Sequence, residues 1–160
     1  MSISPKLYYF EDFSEGDVQK SITFTVEKQQ AIEFAKTWDP QPFHIDETAA
    51  AASHFGGLTC CSAQIFSIYC TLAQSWEDGG VQQAIASLGF DEMRMRKPVY
   101  AGDHLRCVTE VEDKRESKSN AAGGICVCRV ELINQHDEVV FSIKASTMMM
   151  KDPARNKIEN

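Results

Sequence analysis

Long apolar runs are missing from this sequence, and none approaches the ~20 residues a membrane-spanning helix requires. An excess of positive charge is missing too. Sixteen Lys and Arg stand against 23 Asp and Glu, giving a formal net charge of −7 and a pI of about 5.1. That balance argues against a general nucleic-acid surface. The opening residues, Met1-Ser2-Ile3-Ser4-Pro5-Lys6, lack the apolar core of a secretory signal. These absences predict a cytoplasmic protein with no membrane association. No cysteines are spaced Cys-x-x-Cys and no histidine has metal-ligand spacing, so no metal site is expected. The six cysteines (60, 61, 70, 107, 126, 128) read as buried thiols of a reducing compartment. Cys126 and Cys128 alternate along a predicted strand and should share one face, as small core residues rather than as metal ligands.

What is present is ordinary for one soluble domain: 160 residues, 43% hydrophobic and 24% charged. No internal repeat or low-complexity linker divides it. The polar ends, 1–6 and 152–160, are expected to be flexible tails around a single domain spanning 7–151.

Alternation in Ile22, Phe24 and Val26 predicts a strand over Ser21–Val26, after a short segment near Leu7–Phe10. A helix is expected from about Glu27 to Trp38, stopped by Pro40, then an alanine-rich helical turn at Thr48–Ala52. The stretch Leu58 to Trp76, with Ile65, Ile68, Tyr69 and Leu72 at helical spacing, predicts a central helix buried nearly all round. Five strands follow: Ala84–Phe90, Glu92–Lys97, Leu105–Glu116, Gly124–Asn134 and Val139–Met150. Helices first and strands afterwards predict an α+β fold, an antiparallel β-sheet wrapped around one long central α-helix.

The richest stretch for chemistry is Trp38-Asp39-Pro40-Gln41-Pro42-Phe43-His44-Ile45-Asp46. Its two prolines predict a stiff, extended segment. Asp39 and His44 stand at its two ends, where a carboxylate and an imidazole could hold one water for acid–base work. On spacing alone Asp39 could equally cap a backbone amide and His44 could be a satisfied core histidine. Arg94, Arg96 and Lys97 form a compact basic cluster. Arg94 and Arg96 alternate on one strand and so point together, either at the phosphates of a ligand or into solvent.

The run Asp39-Pro40-Gln41-Pro42-Phe43-His44 resembles the Asp-x-Asn-Pro-x-His signature of the MaoC-like dehydratases and (R)-specific enoyl-CoA hydratases, with Gln41 where the signature has Asn. The likeness continues in Phe55-Gly56-Gly57-Leu58, in Leu88-Gly89-Phe90-Asp91-Glu92 and in Lys97-Pro98-Val99-Tyr100-Ala101-Gly102-Asp103, so it covers roughly Tyr8 to Met150. It implies the hot-dog fold. It also implies a hydro-lyase acting on an enoyl or 3-hydroxyacyl thioester of coenzyme A or an acyl-carrier protein. Asp39 and His44 match the catalytic pair. Ser62 falls at the start of the central helix, where its backbone N–H would meet the thioester carbonyl. Arg94, Arg96 and Lys97 would then contact the coenzyme A phosphates. No cofactor is implied beyond the coenzyme A carried by the substrate. A homodimer or dimer of dimers is expected, since a wrapped sheet leaves an edge strand to be paired.

Cys60-Cys61 departs from the residues usual before that helix. Cys61 could act as a nucleophile there or simply pack. Two rival activities stay open: a hot-dog thioesterase, which would want a carboxylate near the central helix, and a non-catalytic acyl-CoA-binding domain. Cys60 to Gln74 contains no Asp or Glu, which counts against the first.

Overall fold

The computed structural model describes residues 5–155. Four long antiparallel pairings build the main sheet, whose strands lie in the order β2-β6-β7-β8-β5. These are β2 (Val18–Lys20), β5 (Ala84–Met95), β6 (His104–Glu116), β7 (Gly123–Ile133) and β8 (Val139–Met150). β3 (Phe24–Thr25) pairs with the start of β6, and β1 (Leu7–Tyr8) pairs in parallel with β4 (Val81–Gln82). One face of the sheet packs on helix α4 (Ser62–Leu72): Ile65, Ile68, Tyr69 and Leu72 are buried among Leu105, Cys107, Val130, Leu132, Phe141 and Ile143. The expected α+β arrangement, an antiparallel sheet around a helix, is present.

The helix itself differs from expectation. It has 11 residues, not the whole of Leu58–Trp76. Leu58–Cys60 is instead extended and pairs with Val99–Ala101, through Cys60 N–H to Val99 O (2.8 Å) and Ala101 N–H to Leu58 O (3.0 Å). Nor is it buried all round. Ser62, Ala63, Ser67 and Thr71 form one exposed stripe, as small polar residues at helical spacing allow.

The strand expected over Ser21–Val26 is broken into Val18–Lys20 and Phe24–Thr25, and Ile22 is exposed. Its alternation reflected Val26 entering the core and Phe24 leaning on it, not a continuous ladder. The two strands expected at 84–90 and 92–97 are one strand, β5, interrupted by bulges.

A second apolar cluster, Tyr8, Phe10, Phe13, Trp76, Val111, Cys126 and Met149, closes one end of the sheet. Phe10 lies flat on Gly124, where any Cβ would overlap its ring. The chain end is tied to the same region: Asp152 N–H donates to Glu11 Oε2 (3.0 Å) and Arg155 pairs with Asp12 (2.7 Å). Residues 152–155 are thus held, although a tail was expected from 152. The remaining tail positions, 1–4 and 156–160, lie outside the described residues. Among the described residues no helix is long and apolar enough to cross a membrane.

Candidate active site

Helix α1 (Lys28–Trp38) ends where Pro40 forbids its continuation, and Asp39 caps it, its N–H bonded to Ala35 O (2.9 Å). The chain turns at once, with Gln41 N–H donating to Asp39 O (2.8 Å). Pro42 then starts a new helix, α2 (Pro42–Ile45), instead of prolonging an extended segment. The expectation of an extended run fails because proline is well suited to the first helical position, where its missing N–H costs nothing. A single turn of helix carries His44 back toward Asp39, and Asp46 caps the next helix, α3 (Glu47–Ala52), by accepting from Ala49 N–H (2.7 Å).

His44 is buried, its side chain 10% exposed, while that of Asp39 is 39% exposed. Its Nδ1 lies 2.7 Å from the Thr59 carbonyl oxygen. A carbonyl only accepts, so Nδ1 carries a proton, and in the tautomer this fixes the lone pair lies at Nε2. Thr59 stands opposite Tyr100 in the short ladder of Leu58–Cys60 with Val99–Ala101. The hydrogen bonds of that ladder come from its neighbours on either side, so Thr59 is free to turn its own carbonyl outward to the imidazole. Nε2 faces Asp39 Oδ2 at 3.8 Å. That is too long for a direct hydrogen bond, yet one water can reach both atoms.

His44 opens onto a cavity of about 280 Å³ whose walls include Thr59, Ser62, Ile65, Met95, Arg96 and Lys97. Ser62 is the first residue of α4, and its N-cap, Cys61, makes no side-chain cap bond. The first N–H groups of the helix are therefore uncapped, with the partial positive charge of the helix end behind them. Phe55 forms another wall, held by Tyr100 Oη–H donating to its carbonyl (2.9 Å) and stacked on Phe43 and His54.

The basic residues part company. Arg96 and Lys97 line the cavity; Arg94 does not. Lys97 is ion-paired to Glu138. Arg96 Nε–H donates to Ser142 Oγ (2.9 Å) and Arg94 donates to the Met93 carbonyl (2.8 Å). Among the described residues no carboxylate lies within ion-pair distance of either arginine. Their orientation is set by a bulge. Between Asp91, opposite Lys144, and Arg94, opposite Ser142, β5 holds one extra residue, and Glu92 has φ 52°. The bulge shifts the alternation, so Met95, though 39% exposed, shares the sheet face of its buried partner Phe141, while Arg94 and Arg96 take the other face, Arg96 still reaching the cavity rim.

The six cysteines are free thiols, buried or half-buried. Cys61 is fully buried and outside the cavity wall. Burial pushes Cys60 and Cys128 up to about 12, and Cys107 and Cys126 up to about 11. Cys126 and Cys128 pack on the core together. His104 pairs with Thr25 at the surface, away from the cavity. Two residues were missed. Thr59 holds His44 chiefly through its backbone carbonyl, which no side-chain pattern advertises, with its hydroxyl 3.2 Å from the same Nδ1. Gln64 is buried in α4 with Oε1 lacking a hydrogen-bond partner.

A family model described as "MaoC like domain" matches residues 11–126. The chain belongs to the MaoC-like domain family. The curled antiparallel sheet over a helix is the hot-dog fold. A MaoC-like dehydratase from Rhodospirillum rubrum is 31% identical and superposes with a TM-score of 0.81, covering 91% of this chain and 99% of that one. YdeM of Bacillus subtilis, itself uncharacterized, is 29% identical over 143 residues, 88% of this chain and 98% of its own length. A mesaconyl-CoA hydratase from Cereibacter sphaeroides is 40% identical over 68 residues, which span 42% of this chain and a fifth of the relative. The MaoC-like domain thus stands in a hydratase and dehydratase family.

Proposed function

We propose that this MaoC-like domain is a hydro-lyase that adds water across, or removes it from, the carbon–carbon double bond of an enoyl thioester of coenzyme A. The observation that supports it is the orientation of His44: Nδ1 held by the Thr59 carbonyl, Nε2 turned to Asp39 across a gap that fits one water. In hydration, one of the pair takes a proton from that water as its oxygen bonds the β-carbon. The other delivers a proton to the α-carbon, so the product is the 3-hydroxyacyl thioester. The Ser62 N–H stabilises the negative charge that develops on the thioester oxygen in between. The reverse path is dehydration. Nothing in this route calls for a metal or redox group, and coenzyme A enters only with the substrate. The stretch shared with a mesaconyl-CoA hydratase supports a coenzyme A thioester, although a carrier-protein thioester would present the same reacting atoms. α4 carries no carboxylate, which disfavours thioester hydrolysis.

Arg96 and Lys97 at the cavity rim, with Arg94 beyond it, would receive the coenzyme A phosphates. The working form is a homodimer joined along β5. That strand is the sheet edge, 12 residues long, and exposes Ile85, Leu88 and Met93 by 40–48%. Such an edge invites pairing across a two-fold axis. Six cysteines, free among the described residues, suit the reducing cytoplasm.

The deciding assay follows loss of the conjugated-thioester absorbance of crotonyl-CoA and longer enoyl-CoAs, beside release of free thiol. Hydration without thiol release is expected. Thiol release alone would make the protein a thioesterase, and neither signal would make it a binding module. Sedimentation at micromolar concentration should show a dimer or larger; a stable 17.9 kDa monomer would defeat the assembly.

A further inference from the structure

The trough between α4 and β5 holds two cavities, not one. The first, of about 280 Å³, contains His44, Ser62 and Ile65 and ends at Met95. The second, of about 240 Å³, lies further along the same two elements, with Tyr69 and Cys70 from α4, Ala73 just past its end, and Ala84, Ile85, Ala86 and Phe90 from β5. Its α4 and β5 walls are mostly small or apolar, which suits an alkyl chain.

Three rings cluster at the end of the second cavity nearer the first, where Tyr69 and Phe90 form its wall and Phe66 packs on both. Phe66 and Phe90 meet edge to face at 5.1 Å, Tyr69 and Phe90 at 6.1 Å, and Phe66 and Tyr69 are 5.5 Å apart. The two contacts of Phe90 are edge to face, a favourable geometry that holds the three rings together as one cluster. Phe66 follows Ser62 by four residues, about 6 Å of helix. Carbon–carbon bonds of about 1.5 Å in a zigzag advance a chain by about 1.3 Å each, so roughly five carbons beyond a carbonyl held at Ser62 fill that distance. A longer chain meets the rings.

We propose that Phe66, Tyr69 and Phe90 form a plug that sets acyl chain length, confining the substrate to short-chain enoyl thioesters and leaving the second cavity as a latent extension of the site. This rests on the acyl-thioester reading above.

Two measurements test it separately from that reading. One is kcat/KM for crotonyl-CoA and 2-octenoyl-CoA. The other is the Kd for their saturated, unreactive counterparts, butyryl-CoA and octanoyl-CoA. The parent should favour the shorter member of each pair by about tenfold or more, as pockets that exclude single methylenes do. Phe90→Ala, at a half-exposed position, and Phe66→Leu should each move the longer-to-shorter ratio upward by about tenfold, and the double variant further. If the parent binds octanoyl-CoA as tightly as butyryl-CoA, or if no variant moves the binding ratio, the plug is refuted whatever the turnover. If the binding ratio moves but no enoyl thioester is hydrated, the plug stands and the hydro-lyase reading falls.

Discussion

The corner between α1 and α2 and the bulged strand β5 each bring groups to the same cavity, by opposite means. At the corner every determinant is local. Pro40 ends one helix, Pro42 starts the next, and six residues suffice to set Asp39 against His44. In β5 nothing local decides which side chain faces in. Register with β8 and one extra residue at Glu92 place Met95 inward and the arginines outward. In the proposed reaction the corner would supply chemistry fixed by short-range stereochemistry, and the strand recognition fixed by long-range pairing. Damage to the first should therefore abolish rate, and damage to the second should weaken binding or stability.

The largest effect belongs to the corner. Asp39→Asn and His44→Gln should each lower kcat/KM for any enoyl thioester the parent accepts by about 10²–10⁴. If the two act on one water, as proposed, the double variant should be hardly worse than the worse single one. Circular dichroism and sedimentation should show folded protein of the parent's assembly. Activity within a few-fold of the parent in a folded single variant would mean that the corner is not where the reaction happens.

A smaller effect is expected from the strand. Arg96 lines the cavity and, among the described residues, has no carboxylate partner, so Arg96→Ala should raise KM about tenfold with kcat little changed, the loss of one charge-assisted contact. Arg94→Ala, outside the cavity wall, should raise it less. Equal and negligible changes in KM would return both residues to a solvated face, and an Arg94 effect exceeding that of Arg96 would place the phosphates on the outer face of the sheet.

The same contrast explains what was legible in the sequence. The long strands β6, β7 and β8 were readable to within a residue, because their apolar alternation answers to a core on one face. α1 was readable from its periodicity and Pro40. Pro42 misled, since proline stiffens an extended chain and opens a helix equally well, and only the following turn distinguishes them. Leu58–Cys60 misled because an extended, fully buried segment has the same apolar composition as a buried helix. Thr59 could not be found at all, because its contribution is a carbonyl. Arg94, Arg96 and Lys97 were recognisable as a cluster, but the bulge just before them, which sets the face they take, was not. A glutamate at positive φ carries none of the glycine or asparagine signal that marks such turns.

Glu92 gives the smallest and sharpest test of the bulge. A non-glycine residue in the left-handed region costs about 1–2 kcal/mol through its Cβ. In an ordinary strand the preference runs the other way, with glycine worse than alanine by about 0.5–1 kcal/mol. Glu92→Gly and Glu92→Ala both lose the exposed pairing with Lys144, 3.6 Å away, so that contribution cancels between them. If Glu92 holds φ 52° in solution, Glu92→Gly should be more stable than Glu92→Ala by about 1 kcal/mol, a Tm difference of about 2–4 °C. Thermal melts of the two variants under one buffer condition read this directly. An alanine variant as stable as the glycine one, or more so, would show that β5 runs through 91–94 without the bulge. The outward direction of Arg94 and Arg96, and with it their proposed place at the phosphates, would then have to be abandoned.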